Sequence, residues 1–205
     1  MTLGNEDASM AGDLGTEQAI VHDAAPETVE DAARAVLDFW FALTLETQFA
    51  RDEALDAEIT ARFGTLRDAV FATRAAAWRD TPDDLLAAIV LLDQFSRNIY
   101  RDSPRAFEAD GLAVELALQA IEQGWEARYA EEERAFLYIP FMHAEDAALQ
   151  RLSVEKFTAM GGPNVPFAQG HAEEITRFGR FPARNAALGR ATTDAERAFL
   201  DGLAA

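Results

Sequence analysis

The stretch Thr81–Tyr100, TPDDLLAAIVLLDQFSRNIY, decides the fold class. A Thr followed by Pro and two acids is a strong helix start. The hydroxyl caps a free N–H group, Pro fits the first turn, and the acids face the positive end of the helix dipole. An apolar run from Leu85 to Leu92 follows, and it is too short to cross a bilayer. We predict a largely buried helix that continues to Tyr100.

Similar start signals recur along the chain, whereas strand signals are nearly absent. Thr28–Asp31 (TVED) and Thr193–Glu196 (TDAE) resemble capping boxes, and Asp52 precedes another run with helical periodicity. Gly64 and Gly124 are placed to end helices. These helix start and stop signals predict an all-α protein of eight to ten helices joined by short connections.

The second half of the chain follows the same pattern. We predict a helix from Glu131 to Tyr138, a long one from Pro140 to about Met160, and another at Phe167–Phe178 that ends at Gly179. Short loops favour antiparallel neighbours. Aromatic stripes around Trp40 and Phe136 are assigned to the core.

Composition restricts the classes of partner. The chain carries 18 basic and 36 acidic residues and no Cys, for a net charge of −18. Binding to nucleic acid or to an anionic membrane depends on basic surfaces, so neither partner is expected. Residues 1–33 hold eight acids and no Lys or Arg. We therefore predict an acidic, disordered tail at 1–27 and one helical domain at 28–205. Without a signal-peptide pattern, a cytoplasmic location is expected.

Polar residues interrupt the apolar helix of the opening stretch. Asp93 extends its apolar stripe, Arg97 lies four residues later, and Gln94 and Asn98 form a parallel pair at the same spacing. One interpretation is a structural ion pair with amide hydrogen bonds. The other is the polar wall of a ligand-binding pocket.

Two His residues are each followed three positions later by a carboxylate: His143 with Asp146, and His171 with Glu174. Both His lie in line with apolar residues, so partial burial is expected. Three interpretations remain open. The His side chains are structural, or they act with their carboxylates in acid–base catalysis, or all four side chains hold a divalent metal ion. No nucleotide-cofactor motif is present.

Arginines cluster in the segment Thr176–Arg190, which contains no acid. Guanidinium groups bind carboxylate or phosphate in pairs of hydrogen bonds. A small anionic ligand or an acidic peptide is therefore a candidate partner, unless these arginines only neutralise the protein's own acids. The candidate ligand-binding residues of this segment are Arg177, Arg180, Arg184 and Asn185.

Four long motifs resemble one known pattern. They are VLDFWF at Val36–Phe41, LLDQFSRNIYRDSPRAFEAD at Leu91–Asp110, FLYIPFMHAED at Phe136–Asp146 and RFGRFPARNAALGRATTDAE at Arg177–Glu196. In this order they resemble the bacterial family known as domain of unknown function 924, over about residues 29–203. The resemblance implies helices stacked as antiparallel hairpins, akin to the tetratricopeptide-like superfamily. It implies no settled activity, substrate or cofactor.

Two positions depart from the pattern. The resemblance implies a His in the segment that reads FPARN here, where Ala183 stands, and a Trp-Phe pair in place of Gln48-Phe49. A shared site would then depend on the following residues: Asp93, Arg97, Asn98, His143, Asp146, His171 and Arg180. Three functions stay open, in this order: a binding module for an anionic ligand, a metal-dependent or His–carboxylate hydrolase, and a structural scaffold.

Overall fold

The computed structural model describes residues 28–203. In this range it contains ten α-helices and no β-strand. The predicted acidic tail at 1–27, with its His22, lies outside the described residues. The helices are α1 (Val29–Phe41), α2 (Leu45–Phe49), α3 (Glu53–Ala72), α4 (Pro82–Ile89), α5 (Ser96–Ile99), α6 (Asp110–Glu122), α7 (Glu131–Met142), α8 (Ala147–Met160), α9 (Val165–Phe178) and α10 (Asp194–Leu203).

The predicted caps form where the sequence indicates. The side chains of Thr28, Asp52 and Thr81 accept hydrogen bonds from free N–H groups in the first turns of α1, α3 and α4. Thr193 and Glu196 exchange the two hydrogen bonds of a capping box at the start of α10. Gly124 and Gly179 follow helices in the left-handed conformation, with φ of 70° each.

One predicted helix end is wrong. Gly64 lies inside α3, which continues to Ala72. Glycine costs up to about 1 kcal/mol in a helix interior. The free energy gained by burial outweighs this cost. Leu55, Ile59 and Phe63 form a stripe that faces the core, and the stripe continues after the glycine to the buried Val70.

The core surrounds the predicted central helix. Every residue from Leu85 to Phe95 is buried, and α4 packs against α1, α6 and α7. The Trp40 ring meets Phe95 and Phe136 edge-on, with centroids 5.5 and 5.6 Å apart. The aromatic core predicted around Trp40 and Phe136 is therefore confirmed.

The predicted long helix beginning at Pro140 is also wrong. Pro140 lies inside α7, the chain leaves the helix after Met142, and α8 begins at Ala147. Two side chains stabilise this break. Asp146 caps the first N–H groups of α8, and the Gln150 amide donates to carbonyl oxygens at the end of α7, including that of Met142 at 2.7 Å. The break places His143 at the end of a buried helix.

Consecutive helices α7, α8 and α9 pack against one another across short connections. The first half is less regular, because α1 packs on α4 rather than on α2. The predicted start at Ser103-Pro104 gives only a 3₁₀ turn, Pro104–Phe107, before α6 begins. Between residues 28 and 203, no helix combines the length and apolar character needed to cross a membrane.

Candidate active site

The site begins with a change of helix type. After α4 the chain continues as a π-helical turn, Val90–Phe95, and then as α5. Such turns alter the faces that side chains occupy and are frequent at functional sites. Asp93 lies within this turn and is only 1% exposed. A buried carboxylate needs partners for its charge, and its neighbours supply them.

Three side chains bind the Asp93 carboxylate. Nδ1 of His143 lies 2.8 Å from Oδ1 and 3.0 Å from Oδ2, and Nη1 of Arg97 lies 3.1 Å from Oδ1. The Gln94 amide also donates to Oδ2. Burial raises the pKa of Asp93, but the charges of Arg97 and His143 and these hydrogen bonds outweigh it and hold the pKa well below its usual range. Asp93 is thus a carboxylate that only accepts hydrogen bonds.

This pairing fixes the tautomer of His143. Because Asp93 can only accept, Nδ1 of His143 carries the hydrogen, and in the neutral ring Nε2 keeps a free lone pair. Burial and the charge of Arg97 lower the pKa of His143, against the opposing effect of Asp93. His143 is therefore a neutral imidazole at physiological pH, oriented by a buried carboxylate.

A second imidazole lies beside the first. The ring centroids of His171 and His143 are 6.4 Å apart. Nδ1 of His171 donates to the carbonyl oxygen of Phe167 at 2.9 Å, so its Nε2 also keeps a free lone pair. Burial lowers the pKa of His171. The site thus presents two neutral imidazoles with the same tautomer.

Two arginines are held by one carboxylate. Arg97 and Arg184 both contact Asp110, with N–O distances of 3.1 Å for each pair. Arg184 also donates to the backbone carbonyl of His143 at 2.8 Å. Its guanidinium carbon lies 4.6 Å from the Phe107 ring centroid and 4.5 Å from that of Phe181. Arg184 therefore links the break after α7 to the start of α6.

His143 borders two cavities. The larger has a volume of about 370 Å³, and its charged lining consists of two arginines and four carboxylates: Arg184, Arg190, Glu108, Asp110, Glu145 and Asp146. The smaller, of about 210 Å³, is mostly apolar and also contacts His171. Glu174 lies on the same side of α9 as His171. Burial raises the pKa of Glu174, and the charge of Arg184 offsets this only in part. The arrangement supplies a base, a second imidazole and a positive charge around open space.

Comparison with known proteins places the chain in a family. Residues 36–203 match the model of a family described as bacterial protein of unknown function (DUF924). The chain belongs to this family. A solved structure of a protein of unknown function from Agrobacterium tumefaciens is 34% identical, with a TM-score of 0.82, and the match covers 85% of this chain and 99% of the other. No curated protein matches the chain.

In this DUF924 chain the predicted pairing of His143 with Asp146 does not form. Asp146 is exposed and caps α8 through Ala148 and Leu149, while Asp93 binds His143. The physical reason is the helix break, since the two residues no longer share one helix face. The predicted metal set is not assembled either. Within residues 28–203, no three His, Asp or Glu side chains are grouped so that they could hold a metal ion.

The predicted anion-binding residues divide into two groups. Arg97, Gln94 and Arg184 lie at the site, whereas Asn98 donates to Asp56 at 2.7 Å. The parallel pair of Gln94 and Asn98 is therefore not formed. The other three predicted residues bind elsewhere: Arg180 and Asn185 contact Glu196, and Arg177 lies exposed against the rings of Phe178 and Phe199.

Sequence reasoning missed two carboxylates. Asp110 bridges Arg97 and Arg184, the latter 74 positions away. Glu145, which looks like a surface residue, accepts from the backbone N–H of Phe181 at 2.9 Å and from Arg190 at 2.8 Å. No local spacing signals such partners. The one signal in the sequence is the segment Thr176–Arg190, which contains arginines and no acid. Its positive charges need carboxylate partners from elsewhere in the chain.

Proposed function

We propose that this protein is a hydrolase in which His143 acts as general base on a water molecule. One observation carries the proposal. His143 is a neutral imidazole whose Nδ1 is held by the buried Asp93 and whose ring borders both cavities. A carboxylate in this position holds the productive tautomer and stabilises the imidazolium that forms when the base takes a proton.

Water is the nucleophile that the lining favours. Within the described part of the chain, the residues that line the two cavities include no Ser, Thr or Cys. A direct attack by activated water also needs stabilisation of the negative charge that develops on the substrate carbonyl oxygen. Arg184 borders the larger cavity beside His143 and supplies a positive charge for that role.

A binding protein for a small anion is the second candidate. Arg184 and Arg190 both line the larger cavity and are the groups that would bind an anion there. Each arginine already contacts a carboxylate of the protein, Asp110 in one case and Glu145 in the other. Because these charges are matched internally, we rank anion binding after general-base catalysis.

Hydrolysis of 4-nitrophenyl acetate and 4-nitrophenyl hexanoate by the wild type and by His143→Gln tests the proposal. We expect the variant to lose about 10²-fold or more of the rate while keeping its fold, because a positioned base contributes about 10²–10⁴-fold. Glu155→Gln, at an exposed position on α8 that borders neither cavity, serves as the matched control with an unchanged rate. A His143→Gln protein as active as the wild type, or a wild type no faster than buffer, would overturn the proposal.

A further inference from the structure

The smaller cavity has a different character from the larger one. Its walls come from the side chains of Phe49, Ile139, Met142 and Phe167, with the two imidazoles and Asn164 as the polar groups. The imidazoles are held neutral by burial, as described above. The cavity therefore contains no formal charge, and a charged ligand group gains nothing by entering it.

Two aromatic side chains at its edge are unusually exposed. Phe49 is 57% exposed and Phe167 is 61% exposed. They come from different helices, α2 and α9, yet both border the same cavity. Large apolar groups that surround an opening are typical of a binding site for apolar groups.

The volume of the smaller cavity indicates the size of the ligand group that it can hold. An apolar cavity of about 150 Å³ in another protein takes up benzene and otherwise stays dry. At about 210 Å³ this cavity is larger and opens to solvent. It has room for a phenyl ring or for an alkyl chain of about six carbons.

We infer that the cavity formed by Phe49, Ile139, Met142 and Phe167 binds the apolar acyl chain of a carboxylic acid or ester, with the carbonyl end facing His143. His143 lines both this cavity and the polar one, so an acyl chain that lies in the apolar cavity can place its carbonyl group beside the base. This inference rests on the proposed hydrolase function, for which it names the substrate class.

Met142 provides a direct reporter of occupancy. It lines the cavity, whereas Met160 does not, so the two methyl groups form a probe and an internal control in one spectrum. Protein labelled with ¹³C-methyl methionine is titrated with sodium acetate, sodium hexanoate and 1-hexanol. Hexanoate and the neutral alcohol should both shift the Met142 signal while Met160 stays in place.

The expected affinities follow from chain length. Each buried methylene strengthens binding about fourfold, so hexanoate should bind on the order of 100-fold more tightly than acetate. Equal binding of acetate and hexanoate would overturn the inference, since charge alone would then explain it. A Met142 signal unmoved by hexanoate and hexanol would also overturn it.

A matched pair of variants tests the location. Phe49→Ala removes a ring from the edge of the cavity and should weaken hexanoate binding about tenfold. Leu45→Ala removes another exposed apolar side chain from the same short helix, one that does not line this cavity, and should leave binding unchanged. Equal effects of both variants would contradict the assignment. Ile139→Phe fills the cavity from the α7 side and should block binding in folded protein.

The two proposals fail separately. Hexanoate binding at Met142 without any ester hydrolysis supports the acyl-chain site and rejects the hydrolase. Hydrolysis that depends on His143 but shows no preference for the hexanoate ester, together with an unshifted Met142, supports the hydrolase and overturns the acyl-chain site.

Discussion

The protonation of His143 depends on opposing neighbours. Burial and Arg97 lower its pKa, and Asp93 raises it. We therefore predict that His143 titrates below the ordinary value of about 6.5 and that Asp93→Asn lowers the pKa further, because the variant removes the opposing negative charge. A ¹H–¹³C NMR titration measures both values, with His143→Gln to assign the signal. An unchanged or higher pKa in Asp93→Asn would contradict the assigned pair.

Single residues show what sequence reasoning can and cannot infer. Asp93, Arg97 and the two His residues interrupt apolar helical stripes, and this pattern alone marked them as candidates. Their partners could not be inferred in the same way. Asp93 and His143 are 50 positions apart, so their contact depends on how α7 packs against the π-helical turn. Spacing along one helix suggested Asp146 instead, and only the helix break shows why that pairing fails.

At the scale of elements, helix starts marked by a capping Thr or Asp were predicted correctly, whereas boundaries marked by Gly or Pro were predicted with mixed success. A start depends on local hydrogen bonds, such as those of Thr81 and Asp52, which the sequence displays directly. An end depends on packing as well. Gly64 is predicted to end a helix and Pro140 to begin one, yet both lie inside helices whose neighbouring residues are buried. The π-helical turn has no signal in the sequence that we can identify, although it positions Asp93.

The role of Asp146 gives a test at this scale. Asp146→Ala removes the cap of α8 and should lower the free energy of unfolding by about 1 kcal/mol. It should leave the pKa of His143 unchanged, because Asp93 and not Asp146 contacts the ring. Urea unfolding and NMR titration measure the two quantities. Asp146→Asn, which keeps a capping oxygen, is the control. A shift of the His143 pKa in Asp146→Ala would mean that Asp146 does interact with His143, as the sequence predicts.

At the scale of the whole molecule, the all-α class followed from the repeated helix signals. The order of packing did not, because α1 contacts α4 across two intervening helices. The cause is the apolar surface of Leu85–Phe95, which is buried only when other helices pack against it on several sides. The site forms where this covered helix meets α7, α6 and the segment before α10. It is thus a product of the assembled core rather than of any one motif.

One buried carboxylate, Glu196, connects the last helix to Arg180 in the segment that follows α9. Glu196 accepts from Arg180 Nε at 2.7 Å and from the Thr193 N–H at 2.7 Å. The hydrogen bond from Arg180 is the main cause that lowers the pKa of Glu196 from 4.5 to about 2. A lowered acid pKa stabilises the fold above the unfolded value, and this contribution is lost as the pH falls from about 4.5 toward 2.

Glu196→Gln should therefore be less stable than the wild type at neutral pH, and the difference should shrink as the solution is acidified through that window. The neutral amide cannot gain a proton there, whereas the wild-type carboxylate does, so the two unfolding free energies converge. Urea unfolding at several pH values between about 6 and 3 measures this. Glu173→Gln, at an exposed position on α9, is the control and should follow the wild type. A stability difference that stays constant with pH would mean that the Glu196 charge does not hold α10 in place.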